Sequence, residues 1–139
     1  MPELPAAALT LLETRPTYAV ASAGEHPWVA TMYFWRNPEG DLMSAIKSDS
    51  LTLAALSTND EVAFAVNGPN PDVFLQGLGR ARDLGPFENF PEVRRGLIDK
   101  EASIQKFLDH VPKLHLLRIH PTDYYLTDHR QKISPRRKI

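Results

Sequence analysis

Hydrophobic positions along this chain follow two periods, and their order predicts most of an architecture. Between Glu3 and Thr14, apolar Leu4, Ala8, Leu11 and Leu12 fall on one helical face, and Pro16 stops the helix. Two runs rich in β-branched and aromatic residues follow, Thr17 to Ser22 and Trp28 to Trp35, separated by the hairpin-type loop Ala23-Gly24-Glu25-His26-Pro27. The turn Asn37-Pro38-Glu39-Gly40 leads into a third strand, Leu42 to Lys47. Ser48-Asp49-Ser50 then offers N-cap oxygens to a short helix over Leu51 to Ser57, with Leu53 and Leu56 toward a core.

Glu61 to Val66 reads EVAFAV, apolar on both faces, which predicts a strand covered on both sides. After the turn cluster Asn67 to Asp72, a long strand is expected from Val73 to Leu84. Gly77 and Gly79 inside it point to a bend or a close backbone approach. From Phe87 to His110 the period becomes helical, with Ile104, Phe107 and Leu108 on one face and Val111-Pro112 as the stop. Strand character returns over Leu114 to His120 and Tyr124 to Thr127, broken by Pro121-Thr122-Asp123. The set predicts a mainly β fold, a six-stranded antiparallel barrel with accessory helices.

Composition narrows the function. At 139 residues and 42% apolar content, a single domain over 1–139 is expected, closing in a basic tail from about residue 129. A formal net charge of −1 gives no field for gripping a phosphate backbone, so nucleic acid is not an expected partner. With no cysteine, disulfides, thiol nucleophiles and cysteine-held metal clusters are excluded by chemistry. The N-terminus lacks the order of a signal peptide and no run of about 18 apolar residues occurs, so the expected location is cytoplasmic, with no membrane contact. Five histidines show no metal-binding spacing, and His115 and His120 fall on opposite strand faces, so no metal site is expected. GxSxG, Walker and GxGxxG patterns are absent too, and no catalytic residue is singled out.

The order of elements, and the stretch Gly40 to Ala81 above all, resembles the pyridoxamine 5′-phosphate oxidase-like FMN-binding split-barrel superfamily. The likeness rests on a strand, Leu42 to Ile46, followed by the Ser-containing loop Lys47-Ser48-Asp49-Ser50 and a short helix. Asn59-Asp60, the apolar strand EVAFAV, Gln76-Gly77-Leu78-Gly79-Arg80-Ala81 and Leu117-Arg118-Ile119-His120-Pro121-Thr122 complete it. It covers most of residues 17 to 128 and is nearest to small bacterial members that end in a basic tail. The resemblance implies a split barrel, a homodimer and an FMN-dependent oxidoreductase of unknown substrate. The alternative is a non-enzymatic barrel that has lost FMN and holds heme, a deazaflavin or another anionic small molecule.

The resemblance also assigns expected cofactor contacts. Thr31, Met32 and Tyr33 would face the flavin ring, or else pack in an ordinary sheet. Lys47, Ser48, Ser50 and Thr52 would receive the phosphate, or else Ser48 or Ser50 only caps the helix. Gln76 and Arg80 share a strand face able to reach a ligand across a dimer seam, and that face is equally suited to solvent. Lys132, with the rest of the basic tail, would fold over the phosphate or remain solvated. One departure stands out: Leu51 and Thr52 occupy the positions where typical FMN binders place Arg-Lys.

Overall fold

The computed structural model describes residues 4–139, and for 133–137 their backbone. Glu3, the expected start of the first helix, lies outside the described residues. Helix α1 (Ala6–Thr14) buries Ala8, Leu11 and Leu12. Strands β1 (Thr17–Ala23) and β2 (Pro27–Tyr33) form the expected hairpin, followed by a two-residue β3 (Trp35–Arg36) and by β4 (Leu42–Lys47). Helix α2 (Leu51–Leu56) interrupts the strands before β5 (Glu61–Asn67) and β6 (Val73–Pro86). Helices α3 (Pro91–Lys100) and α4 (Gln105–His110) then precede β7 (Leu114–Asp128) and β8 (Ile133–Lys138).

All strand pairs are antiparallel, in the order β2-β1-β5-β6-β7-β4-β3, and β8 pairs with β7 off that path. Seven strands therefore make the path where six were expected, and the sheet is not closed, because β2 and β3 end it without pairing. The additional strand comes from a break at Phe34. Its ring is 1% exposed and its N–H bonds Pro16 O, so the run from Trp28 to Trp35 splits, and Trp35 and Arg36 pair with β4 instead of β1. The basic tail is also not loose chain: after a 3₁₀ turn over His129–Gln131 its backbone joins the sheet as β8.

β7 runs unbroken through Pro121, against the expected interruption. Leu78 pairs with Asp123 and Gly79 with Pro121, so Thr122 is accommodated as an irregularity in the ladder. The β4 ladder has already ended at Ile119, so the missing Pro121 N–H leaves no partner unsatisfied on that side.

The strand buried on both faces is β4, not β5. Leu42 and Ile46 enter the barrel core with Tyr18, Phe34, Phe64, Leu75, Leu117 and Ile119. Met43 and Ala45 enter a second core under α3 and α4 with Val93, Leu97, Ile104 and Leu116. In β5, Val62, Phe64 and Val66 are buried, whereas Ala63 and Ala65 face outward and are half-buried, with small side chains that leave this sheet face flat. Tyr18 stacks on Phe34 with centroids 4.4 Å apart and hydrogen-bonds Ser44 Oγ at 2.8 Å, and burial pushes its phenol pKa well up.

Gly77 sits directly opposite Phe64, whose ring lies over it. A Cβ built there would come within 2.1 Å of Phe64 Cζ. This is the close approach that the glycine requirement reflects.

Lys100, at the C-terminus of α3, ties three segments together. Leu12 O has no helical donor, since the residue four positions on is Pro16, which carries no N–H. Phe34 O lies in the gap between β2 and β3. The Lys100 ammonium donates to both, at 3.0 and 2.9 Å, and stands 3.4 Å from the Phe34 ring centroid. Burial lowers its pKa to about 8 from an unfolded value of 10.5. Between those values the unfolded chain binds more protons than the folded one, so this group makes stability rise with pH across the window. Urea unfolding at pH 8 and pH 9.5 should show that rise in the wild type and lose it in Lys100→Met. An unchanged pH slope in the variant would assign the effect to other groups.

Candidate functional site

A cleft of about 410 Å³ opens between β2, the end of β4, the start of α2 and α4. Alternation along β2 sets one wall. Met32 is buried, Tyr33 half-buried and Thr31 exposed, while Trp28 (42% exposed) stands toward the mouth. Lys47 and Ser50 come from the loop after β4, Leu51 and Thr52 from the first turn of α2, and Phe107 from α4. Six of the ten expected contacts are thus brought together: Thr31, Met32, Tyr33, Lys47, Ser50 and Thr52.

The other four lie elsewhere in the chain. Ser48 donates its backbone N–H to Lys113 O at 2.9 Å and lines a second recess. Gln76 and Arg80 are exposed on the outer face of β6. Arg80 donates to Asp60 at 2.7 Å, and that carboxylate raises its pKa further. Lys132 follows the 3₁₀ turn beyond Asp128, whereas Lys47 pairs with Leu114 at the opposite end of β7. The side chains of Arg136 and Arg137 in the tail lie outside the described residues.

The chemistry of the cleft is apolar with a single cation. Among the described residues, Lys47, which is exposed, is the only charged one in its lining, and no carboxylate lines it. Asp49, two residues on, is exposed to solvent. Ser50 Oγ accepts the Leu53 N–H at 3.2 Å, so this serine is the N-cap of α2. Thr52 is 2% exposed, while Leu51 is 57% exposed at the mouth.

Sequence reasoning passed over Trp28 and Phe107 as parts of this wall, and named Leu51 only as the residue standing at a phosphate-anchor position. A signal existed for Trp28, which shares period-two alternation with Ala30 and Met32. Phe107 had none, because its helical spacing reads equally as core packing.

No family model matches this chain, and no curated protein matches it in sequence. Solved structures do match in fold. HutZ, the heme storage protein from Vibrio cholerae, superposes with a TM-score of 0.71 at 17% identity, over 86% of this chain and 92% of that one. A Listeria innocua protein provisionally named pyridoxamine 5′-phosphate oxidase gives 0.67 at 17% identity, over 86% of this chain and 94% of that one. This chain has the fold of the pyridoxamine 5′-phosphate oxidase-like split-barrel superfamily. A conserved hypothetical protein from Mycobacterium tuberculosis extends the likeness to 99% of this split barrel and 92% of its own length, with a TM-score of 0.76 at 17% identity. At such identities the likeness establishes the fold of this split barrel, and the site must be argued from its residues.

Proposed function

We propose that this split barrel binds a flat conjugated heterocycle of the flavin class, through its ring rather than through a phosphate. The observation that carries this is the cleft's make-up: Trp28, Met32, Tyr33 and Phe107 supply flat or polarisable apolar surface beside one cation, Lys47. Such a recess, about 410 Å³ with few polar groups, suits an aromatic ring system. A bound flavin would supply any redox chemistry, while the chain supplies the wall and excludes water.

The residues fit FMN unevenly. Thr31, Met32 and Tyr33 would take the ring. For the phosphate, Lys47 alone among the described lining residues offers charge, since Leu51 is apolar and Ser50, whose Oγ accepts the Leu53 N–H, adds only a neutral hydroxyl. The phosphate end is therefore not built as the resemblance implied.

The test is titration of the purified protein with FMN and with riboflavin, read by flavin fluorescence and by thermal shift. Both ligands should raise Tm and bind with affinities within about threefold of each other, because one exposed cation adds little in solvent. Failure of either flavin to bind would sink the reading. A second reading, a non-enzymatic barrel for heme or a deazaflavin, rests on the same apolar, aromatic wall; absorbance after addition of each ligand discriminates.

Trp28 and Leu51 at the cleft are exposed by 42% and 57%, and Val29, on the sheet face it shares with Ala21 and Ala63, by 62%. In this reading a second copy of the chain covers them, together with the flat face around Ala63 and Ala65. Light scattering at micromolar concentration should then give twice the chain mass. A monomer there would remove the homodimer from the proposal.

A further inference from the structure

A second recess, about 630 Å³ in volume, lies across the Lys47–Ser50 loop from the flavin-type cleft. Its wall is apolar and partly aromatic, with Phe87, Phe90, Leu108 and Leu114. Leu108 follows Phe107 of the cleft on α4, so that helix contributes a side chain to each recess. Three nitrogen-bearing side chains, Arg94, Lys113 and His115, share the wall with one exposed carboxylate, Glu88.

Two of the three are oriented by carboxylates that do not line the recess. Arg94 donates to Asp109, and His115 Nδ1 lies 2.9 and 3.1 Å from the two Asp83 oxygens. The Asp83 contact fixes the imidazole ring and leaves Nε2 as its remaining polar atom. Lys113 makes no ion pair among the described residues. Its backbone is left-handed, with φ 55°, a conformation that favours glycine or asparagine, and its carbonyl holds the Ser48 N–H. A lysine kept where glycine is easier suggests that the ammonium is used.

We infer that this recess is a second binding site, for a small aromatic acid whose ring lies against Phe87, Phe90 and Leu108 and whose acid group meets Lys113 and His115. The geometry matches general expectations for such a site, an apolar body with a few convergent polar groups. Charge-assisted contacts at one end would set orientation and select an acid over its uncharged analogue. The inference stands apart from the flavin reading, since the two sites share no side chain.

The probes are 2-naphthoate and 2-naphthalenemethanol, which share a ring and differ in charge, titrated into the full chain by calorimetry. The naphthoate should bind at least tenfold more tightly than the alcohol. Lys113→Gly, which suits the left-handed backbone, should weaken naphthoate about threefold, as removal of one exposed cation would, and leave the alcohol unchanged. His115→Phe should act in the same direction, and riboflavin binding should be unaffected by either variant. Equal affinities for the two probes, indifference of naphthoate to Lys113→Gly, or no binding at all would overturn the site. Any of these can occur with riboflavin still bound, so failure here is separable from failure of the cleft.

Discussion

Gly77→Val should lower the free energy of unfolding by about 3 kcal/mol, the upper part of the range for overpacking a filled core. The reason is local and severe. Even a Cβ at this position falls 2.1 Å from Phe64 Cζ, and the Phe64 ring has no free direction. It packs edge-on to Tyr124 at 5.6 Å and tilted against Tyr18 at 6.2 Å, with Tyr18 in turn stacked on Phe34. Displacing it disturbs the largest side chains of the barrel core together. Urea denaturation of wild type and variant measures the loss, and Phe64→Leu in the Gly77→Val background should recover part of it. A stability within about 0.5 kcal/mol of wild type would mean that the strand, not the ring, yields.

Leu51→Arg should convert an indifferent cleft into one that prefers a phosphorylated ligand. Leu51 is 57% exposed at the mouth beside Lys47, so a guanidinium there costs little burial and adds a planar donor fork. The expected result is a rise of about tenfold in FMN affinity relative to riboflavin, at unchanged stability. The gain should shrink as salt increases, because the new charge is exposed. A ratio that does not move would show that the phosphate of a bound FMN points away from α2. Thr52 is the poorer place for a lysine, being 2% exposed and packed.

What was readable in the sequence was local. β4 begins and ends where its apolar run does, and Ser50 caps α2 as its hydroxyl, placed just before Leu51, suggests. Glycine in β6 marked a close approach, but not the residue approached. Features decided by distant partners were not readable. Pro121 reads as a strand breaker, yet β7 passes through it because β4 has already stopped pairing two residues earlier. EVAFAV reads as doubly covered, yet within one chain its outward alanines stay half-buried. The site divides in the same way. Thr31 to Tyr33 and Lys47 to Thr52 lie near one another because β2 and β4 come together, whereas Gln76, Arg80 and Lys132 share chemistry with them but not location.

The place of β7 in the strand order has a consequence for how the protein is made. β4 pairs only with β3 and β7, and β6 only with β5 and β7. A chain emerging from the ribosome therefore holds two unjoined pieces, β2-β1-β5-β6 and β3-β4, until residues 114–128 arrive to weld them. During that interval the edges of β6 and of β4, the strand that the finished fold buries on both faces, stand open to other nascent chains. Synthesis that stalls before Leu114 should yield an aggregating fragment rather than a smaller barrel.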